Sequence, residues 1–385
     1  MLQLLFKYLE SLGLDFPGIH LMNYISFKAA LAAALGILFS MIFGKKIIAW
    51  LQRKQIGETI RDLGLQGQME KKGTPTMGGI IIIIALVLSA LLVCDLTNIY
   101  VRLLLLTTLW CGALGFADAY IKVFKHNKEG LSERKKLLGQ FVLGLFIAMM
   151  MCFSPAIHTD QIVTTIPFVK AHEFDYSWLS PFKGQMGVYC SWGIYMLVII
   201  FIILACSNGA NLTDGMDGLS TGVSMTIGVV LGIIAWLSGD VLDSQYLNIM
   251  YIPQAGEVAV YMAAFVGALL GFLWYNTFPA QVFMGDTGSL TIGGVIGVCA
   301  VLVRKELLLP ILCGIFLAES LSVLIQRYWF KYTKKKYGEG RRVFLMAPLH
   351  HHYQKKGIPE PRIVTRFLIV GVLLGVGTLA IMKIR

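Results

Sequence analysis

Apolar runs of about 20 residues recur along this chain, and that is the length a helix needs to cross a hydrocarbon core roughly 30 Å thick. They fall at 22–43, 76–94, 100–118, 137–156, 187–206, 218–238, 258–275, 287–303, 307–326 and 364–382. Inside lipid a backbone must satisfy its own hydrogen bonds, so each stretch is expected to be helical. The pattern predicts an all-α polytopic membrane protein with about ten transmembrane helices, forming a single integral membrane domain over 1–385. Charged residues make up 14% of the chain and mean hydropathy is +0.70, against roughly 25% charged in soluble domains.

Sidedness follows from where Lys and Arg collect, because short cytoplasmic loops retain them. Loops 44–72, 119–136 and 327–362 hold seven, six and ten, whereas the opposite loops and both termini hold seven in all. Both termini are therefore expected outside, with the basic loops in the cytoplasm. The net charge of +11 reads as a topology signal that also suits anionic lipid and phosphate, and no nucleic-acid partner is expected. Glu10 and Asp15 sit in the N-terminal region without a short apolar core and small-residue cleavage site, so no removable leader is expected. The seven cysteines lack paired spacing and read as reduced packing residues. In the long external stretch 157–186, the β-branched run QIVTTIPF predicts a small hairpin.

With this orientation the unusual polar clusters all fall at cytoplasmic span ends: KKGTPTMGG (71–79), ADAYIK, NGANLTDGMDG (208–218), YNTFPAQVFMGDTGSL (275–290) and APLHHHYQKKG (347–357). A transporter would instead concentrate polar groups near the midplane, on broken helices of repeated halves. Asp214 and Asp217 are three apart, predicting one face near the positive start of the next helix; a capped turn is the plainer reading. Asp286 stands in a Gly-flanked elbow opening a span, where backbone N–H groups suit phosphate and a carboxylate suits Mg²⁺. Asn276 and Phe283 nearby suggest an amide and a ring for a nucleobase. Asp118 closes an apolar span, with Lys122 four residues on. Lys71, Lys72, Lys122 and Lys136 offer positive charge. His350, His351 and His352 are adjacent and cannot all reach one metal, so imidazoles on phosphate oxygens fit better than a zinc site. Glu319 lies inside the ninth span, where a carboxylate is a functional candidate by default, with Gln326 seven residues on along the same face. Lys28 and Arg102 are close enough to span ends to snorkel.

Together KKGTPTMGG, NLTDGMDGL, FMGDTGSL and APLHHHYQKKG resemble the phospho-N-acetylmuramoyl-pentapeptide transferase (MraY) family, within the wider polyprenyl-phosphate sugar-1-phosphate transferases. The resemblance implies a bacterial inner-membrane enzyme that moves phospho-N-acetylmuramoyl-pentapeptide from UDP to undecaprenyl phosphate, releasing UMP and giving the first lipid-linked peptidoglycan precursor. It implies Mg²⁺ held by Asp286 and Asp118, catalysis by Asp118, Asp286 and His350, and a homodimer. It further implies that Lys71, Thr76, Lys122, Lys136, Asn211, Asp214, Asp217, Asn276, Phe283, Gln326, His350, His351 and His352 bind the nucleotide sugar. A phosphate monoester has its second pKa near 6, so the lipid phosphate needs little deprotonation. Direct attack with Asp118 positioning the nucleophile is the expected course.

One position departs from the family. GFADAYIKV carries Ala119 where the resemblance implies a second aspartate, and this predicts a chain that binds nucleotide sugar but turns over poorly. Two alternatives stay open on sequence grounds: a sister enzyme transferring N-acetylglucosamine-1-phosphate, and an anionic-lipid transporter.

Overall fold

The computed structural model describes residues 2, 6, 12, 19–54, 73–124, 130–155, 157, 162–166 and 173–382. Among them the apolar stretches become helices: α1 (Ile25–Arg53), α2 (Gly79–Val93), α3 (Ile99–Phe124), α4 (Glu133–Phe153), α5 (Gly184–Thr213), α6 (Leu219–Gly239), the short α7 (Val241–Leu247), α8 (Ala255–Asn276) and α9 (Gly285–Leu302). A four-residue α10 (Leu309–Leu312), α11 (Gly314–Tyr337), α12 (Leu349–Lys355) and α13 (Glu360–Ile381) complete the bundle. Eight of these are long and apolar enough to cross a membrane, and a ninth span arises if Glu306–Leu312 and Gly314–Tyr337 count as one.

Two expected spans differ from their apolar runs. The stretch 76–94 becomes helical only from Gly79. The preceding TPTM is held extended by hydrogen bonds from Phe283 N to Pro75 O (2.8 Å), Gly78 N to Phe283 O (2.8 Å) and Gly79 N to Met284 O (2.9 Å), with Met77 in the left-handed region at φ 74°. At about 1.5 Å per residue, its 15 residues fall short of a full core crossing. The stretch 307–326 bends by 75° at Cys313, and α11 runs on to Tyr337, well past its apolar part.

The centre of the bundle is α9, in which every residue from Thr287 to Leu302 is buried. It packs against α2, α3, α5 and α6, while α8 is clasped by α1 and α6. In lipid, helices associate through close van der Waals packing, so small residues mark the crossings. A Cβ on Gly115 of α3 would overlap the carbonyl oxygen of Asp286 and come within 2.5 Å of Thr287 Cα. A Cβ on Gly79 would overlap the backbone of Gly288. These contacts press the start of α2 and the C-terminal half of α3 onto the start of α9.

At the other end of α9 the expected hairpin is present: β1 (Val163–Thr165) pairs antiparallel with β2 (Glu173–Asp175), Thr164 opposite Phe174. Thr165 N and Thr164 Oγ1 both donate to Arg304 O at 3.1 Å, and Lys305 Nζ donates to Thr165 Oγ1 at 2.5 Å. Burial lowers the Lys305 pKa to about 8, with Glu306 opposing the shift. Lys28, expected to snorkel, is instead 2% exposed and ion-paired with Glu257 of α8. A partner 229 residues away compensates the charge where it stands, so the chain need not reach for the interface. Arg102 remains exposed, its Nε donating to Leu96 O.

Candidate active site

Asp118 sits on the last turns of α3 and is fully buried. Its Oδ1 accepts from Leu131 N at 2.7 Å and lies 3.0 Å from Lys136 Nζ; its Oδ2 lies 2.6 Å from Lys122 Nζ, one helical turn on. Asp286, in the first turn of α9, meets the same two ammonium groups: Lys136 in a short ion pair and Lys122 at 3.5 Å. The crossing at Gly115 thus brings two carboxylates 168 positions apart in sequence to face each other across two lysines. Charge balance makes the isolated cluster neutral, and an isolated buried carboxylate would be costly without it. Ala119 is 8% exposed and packs into the apolar core.

Thr76 borders this cluster, its Oγ1 3.0 Å from where a Cβ on Gly285 would stand. Phe283 is half-buried on the strand-like segment that pairs with TPTM. Lys71 lies outside the described residues.

The other acidic motif is arranged differently from the sequence expectation. Asp214 is the C-terminal cap residue of α5, and Asp217 precedes Gly218, which caps the start of α6. They occupy the turn between two helices, with Asp214 at the negative end of α5, because glycines at 215 and 218 break the helix between them. Asp217 is 4% exposed; its Oδ2 accepts from Ala280 N at 3.0 Å and its N–H donates to Glu360 Oε1 at 2.8 Å. Asn276 Oδ1 accepts from Gly218 N (3.1 Å) and Thr221 Oγ1 (2.8 Å), while its Nδ2 donates to Val282 O (3.0 Å). Asp217 and Asn276 therefore tie the 214–218 turn to the segment that leads into Asp286. Asn211 is half-buried on the last turn of α5, where its carbonyl accepts from Asp214 N.

The histidine motif closes the same face. His350 is fully buried on α12, its Nδ1 3.2 Å from Glu319 Oε2 of α11, and a Cβ on Gly215 would overlap its Nε2. His351 Nδ1 is 3.1 Å from Gln354 Oε1. His352 Nδ1 accepts from Leu345 N at 3.1 Å, and burial with nearby Lys356 lowers its pKa. Gln326 Oε1 accepts from Val343 N and Phe344 N at 3.1 and 2.9 Å, so it braces the 338–348 loop. Beside it a cleft of about 690 Å³ is lined by Arg327, Lys331, Arg342 and Lys355 among others. Sequence reasoning missed Glu360 and the backbone of Leu131 and Ala280. Glu360 offered one signal, a carboxylate directly after Pro359 at the head of an apolar run.

Among the described residues no group of three or more His, Cys, Asp and Glu side chains is arranged to hold a metal ion. Two hard carboxylates do face each other, and Asp118 Oδ2 is buried without a hydrogen-bonding partner, its contact with Lys122 lying outside hydrogen-bonding geometry. Mg²⁺ is commonly held by one or two carboxylates together with substrate phosphates and water, so the donor set fits that ion.

The family model for glycosyl transferase family 4 matches residues 101–304, and phospho-N-acetylmuramoyl-pentapeptide-transferase signature 1 matches residues 71–83. Over its full length and theirs, the chain is 52% identical to the phospho-N-acetylmuramoyl-pentapeptide-transferases of Parabacteroides distasonis and Flavobacterium psychrophilum, and 48% identical to that of Porphyromonas gingivalis. The chain belongs to this transferase family. As a member of it, the chain is a multi-pass bacterial membrane enzyme of peptidoglycan synthesis, which favours the transferase over the transporter alternative. The signature begins at Lys71 and ends in α2, so the TPTMGG segment packed against the start of α9 belongs to the feature that marks the family.

Proposed function

We propose that the chain transfers phospho-N-acetylmuramoyl-pentapeptide from its UDP carrier to undecaprenyl phosphate on the cytoplasmic face of the inner membrane, with UMP as the other product. The carrying observation is the Asp118–Lys122–Lys136–Asp286 cluster at the crossing of α3 and α9. Two anionic substrates must approach one another, so fixed positive charge and a divalent cation are the expected sources of stabilisation. Asp286 and Asp118 would hold Mg²⁺, which would supply charge neutralisation to the substrate phosphates. Lys122 and Lys136 would offer their positive charge to the substrate phosphates.

Asp118 orients the attacking lipid phosphate, consistent with a nucleophile that is already largely ionised at neutral pH. Asp214 and Asn211, both half-buried, with Thr76, Lys71 and Phe283, would hold the nucleotide sugar, and His351 and His352 the phosphates. Asp217, Asn276 and Gln326 support these groups through the backbone contacts above. The basic cleft beside α11 suits an acidic peptide. Apolar grooves between helices would take the polyprenyl tail, and a homodimer is the expected working unit. Ala119 removes one carboxylate from the site, so turnover should be low while nucleotide-sugar binding persists.

The reading is tested by incubating the membrane-embedded chain, as it stands and as Ala119→Asp, with undecaprenyl phosphate and either UDP-N-acetylmuramoyl-pentapeptide or UDP-N-acetylglucosamine. UMP release with the first donor alone supports it; release with the second alone would assign the sister activity.

A further inference from the structure

Glu319 and His350 form a pair that none of the steps above employs. Both side chains are fully buried, on α11 and α12, with Glu319 Oε2 3.2 Å from His350 Nδ1 and 3.4 Å from the His350 backbone N–H. The side-chain contact is at ion-pair distance but off the hydrogen-bonding axis, leaving Glu319 Oε1 and both imidazole nitrogens without hydrogen-bonding partners. A buried polar group without a partner is costly, and one of these three atoms, His350 Nε2, faces Gly215. The imidazole edge abuts Gly215, the residue between the C-cap of α5 and the Asp217 brace. No side chain other than hydrogen fits at 215, so the position of the 214–218 turn and that of the imidazole are set together.

We propose that Glu319 is a positioning residue for the transfer reaction: acting through His350, it fixes the 214–218 turn and so the nucleotide-sugar side of the site. In this arrangement His350 works from behind the turn, and the carboxylate of Glu319 orients the ring by electrostatic attraction to its Nδ1 edge. The inference rests on the functional reading above, because it assigns the turn to the nucleotide sugar. It leaves the lipid-phosphate side, built on Asp118 and Lys122, independent of Glu319.

Glu319→Gln, His350→Asn and the double variant test this, each in the chain as it stands for binding and with Ala119→Asp added for turnover. Isothermal titration with UDP-N-acetylmuramoyl-pentapeptide should show Glu319→Gln weakening affinity about 10- to 100-fold, by analogy with the loss of a partner that orients a metal-ligating histidine. The KM for the nucleotide sugar should rise by a similar factor, the KM for undecaprenyl phosphate should stay unchanged, and the melting temperature should match the parent. The double variant should bind no more weakly than His350→Asn alone, since residues acting as one unit are not additive. Parent-like affinity in Glu319→Gln overturns the inference, as do additive losses in the double variant, or a loss that raises both KM values alike and tracks a fall in melting temperature. A parent chain that fails to bind the nucleotide sugar sinks the functional reading itself, whereas a binding parent with an equally binding Glu319→Gln variant sinks this inference alone.

Discussion

Replacing Lys136 by Met leaves two carboxylates facing a single ammonium group. Lys136 Nζ contacts Asp286 directly and lies 3.0 Å from Asp118 Oδ1, so the substitution turns a neutral cluster into one with a net negative charge. For a phosphate group bound about 6 Å away, one elementary charge at an effective dielectric of about 20 contributes roughly 2–3 kcal/mol. Screening by salt reduces this at the partly exposed mouth of the site. A loss of about 10- to 100-fold in affinity for UDP-N-acetylmuramoyl-pentapeptide follows, at about 1.4 kcal/mol per factor of ten. Lys136→Arg, which keeps the charge, should lose much less. Calorimetric titration of both variants in Mg²⁺-free buffer reads the effect, and it should shrink as ionic strength rises. Affinity equal to the parent in Lys136→Met would refute the assignment of this lysine to phosphate binding.

Two further perturbations probe the scaffold. Gly115→Ala places a methyl group into the Asp286 carbonyl and, by forcing α3 away from α9, should cost about 1–3 kcal/mol as overpacking does. Thermal unfolding should fall with UMP release in the Ala119→Asp background, whereas unchanged values would show that the crossing tolerates separation. Lys305, held at about 8 by burial, is more readily deprotonated folded than unfolded, where about 10.4 is usual. The unfolded chain binds the extra proton between these values, so stability should climb as pH rises from about 8 to about 10. Lys305→Met should flatten that climb; parallel melting curves for the two proteins across this window would refute it.

The apolar runs were legible because a membrane helix needs only length and hydrophobicity, and each of the ten contains helix, although among the described residues eight helices, or nine with the bent pair, are long and apolar enough to span. What length could not reveal was shape. The truncation of α2 depends on Phe283 and Met284 capturing the TPTMGG backbone from more than 200 positions away, and the bend at Cys313 leaves the apolar pattern unbroken. At the site, residue type and membrane side pointed to the acidic and histidine motifs, because carboxylates and imidazoles at span ends are costly unless used. Their division of labour was not legible. Asn276 and Asp217 look like ligand-binding side chains in sequence, yet Asp217 Oδ2 accepts from the Ala280 backbone and Asn276 bonds the backbone of Gly218 and Val282 and the Thr221 hydroxyl, and Gln326 of α11 accepts from two backbone amides of the 338–348 loop. Lys28 illustrates the same limit, since only the fold reveals Glu257 beside it.

Most directly decisive is UMP release from UDP-N-acetylmuramoyl-pentapeptide and undecaprenyl phosphate by this chain and its Ala119→Asp version, with Mg²⁺ and with EDTA. The account predicts slow release by the parent, a gain of about 10²- to 10⁴-fold on restoring the carboxylate, as for a catalytic acid or base, and loss of that gain when the metal is chelated. Equal rates for the two chains, or a gain that survives chelation, would contradict a Mg²⁺-assisted phosphoryl transfer centred on Asp118 and Asp286.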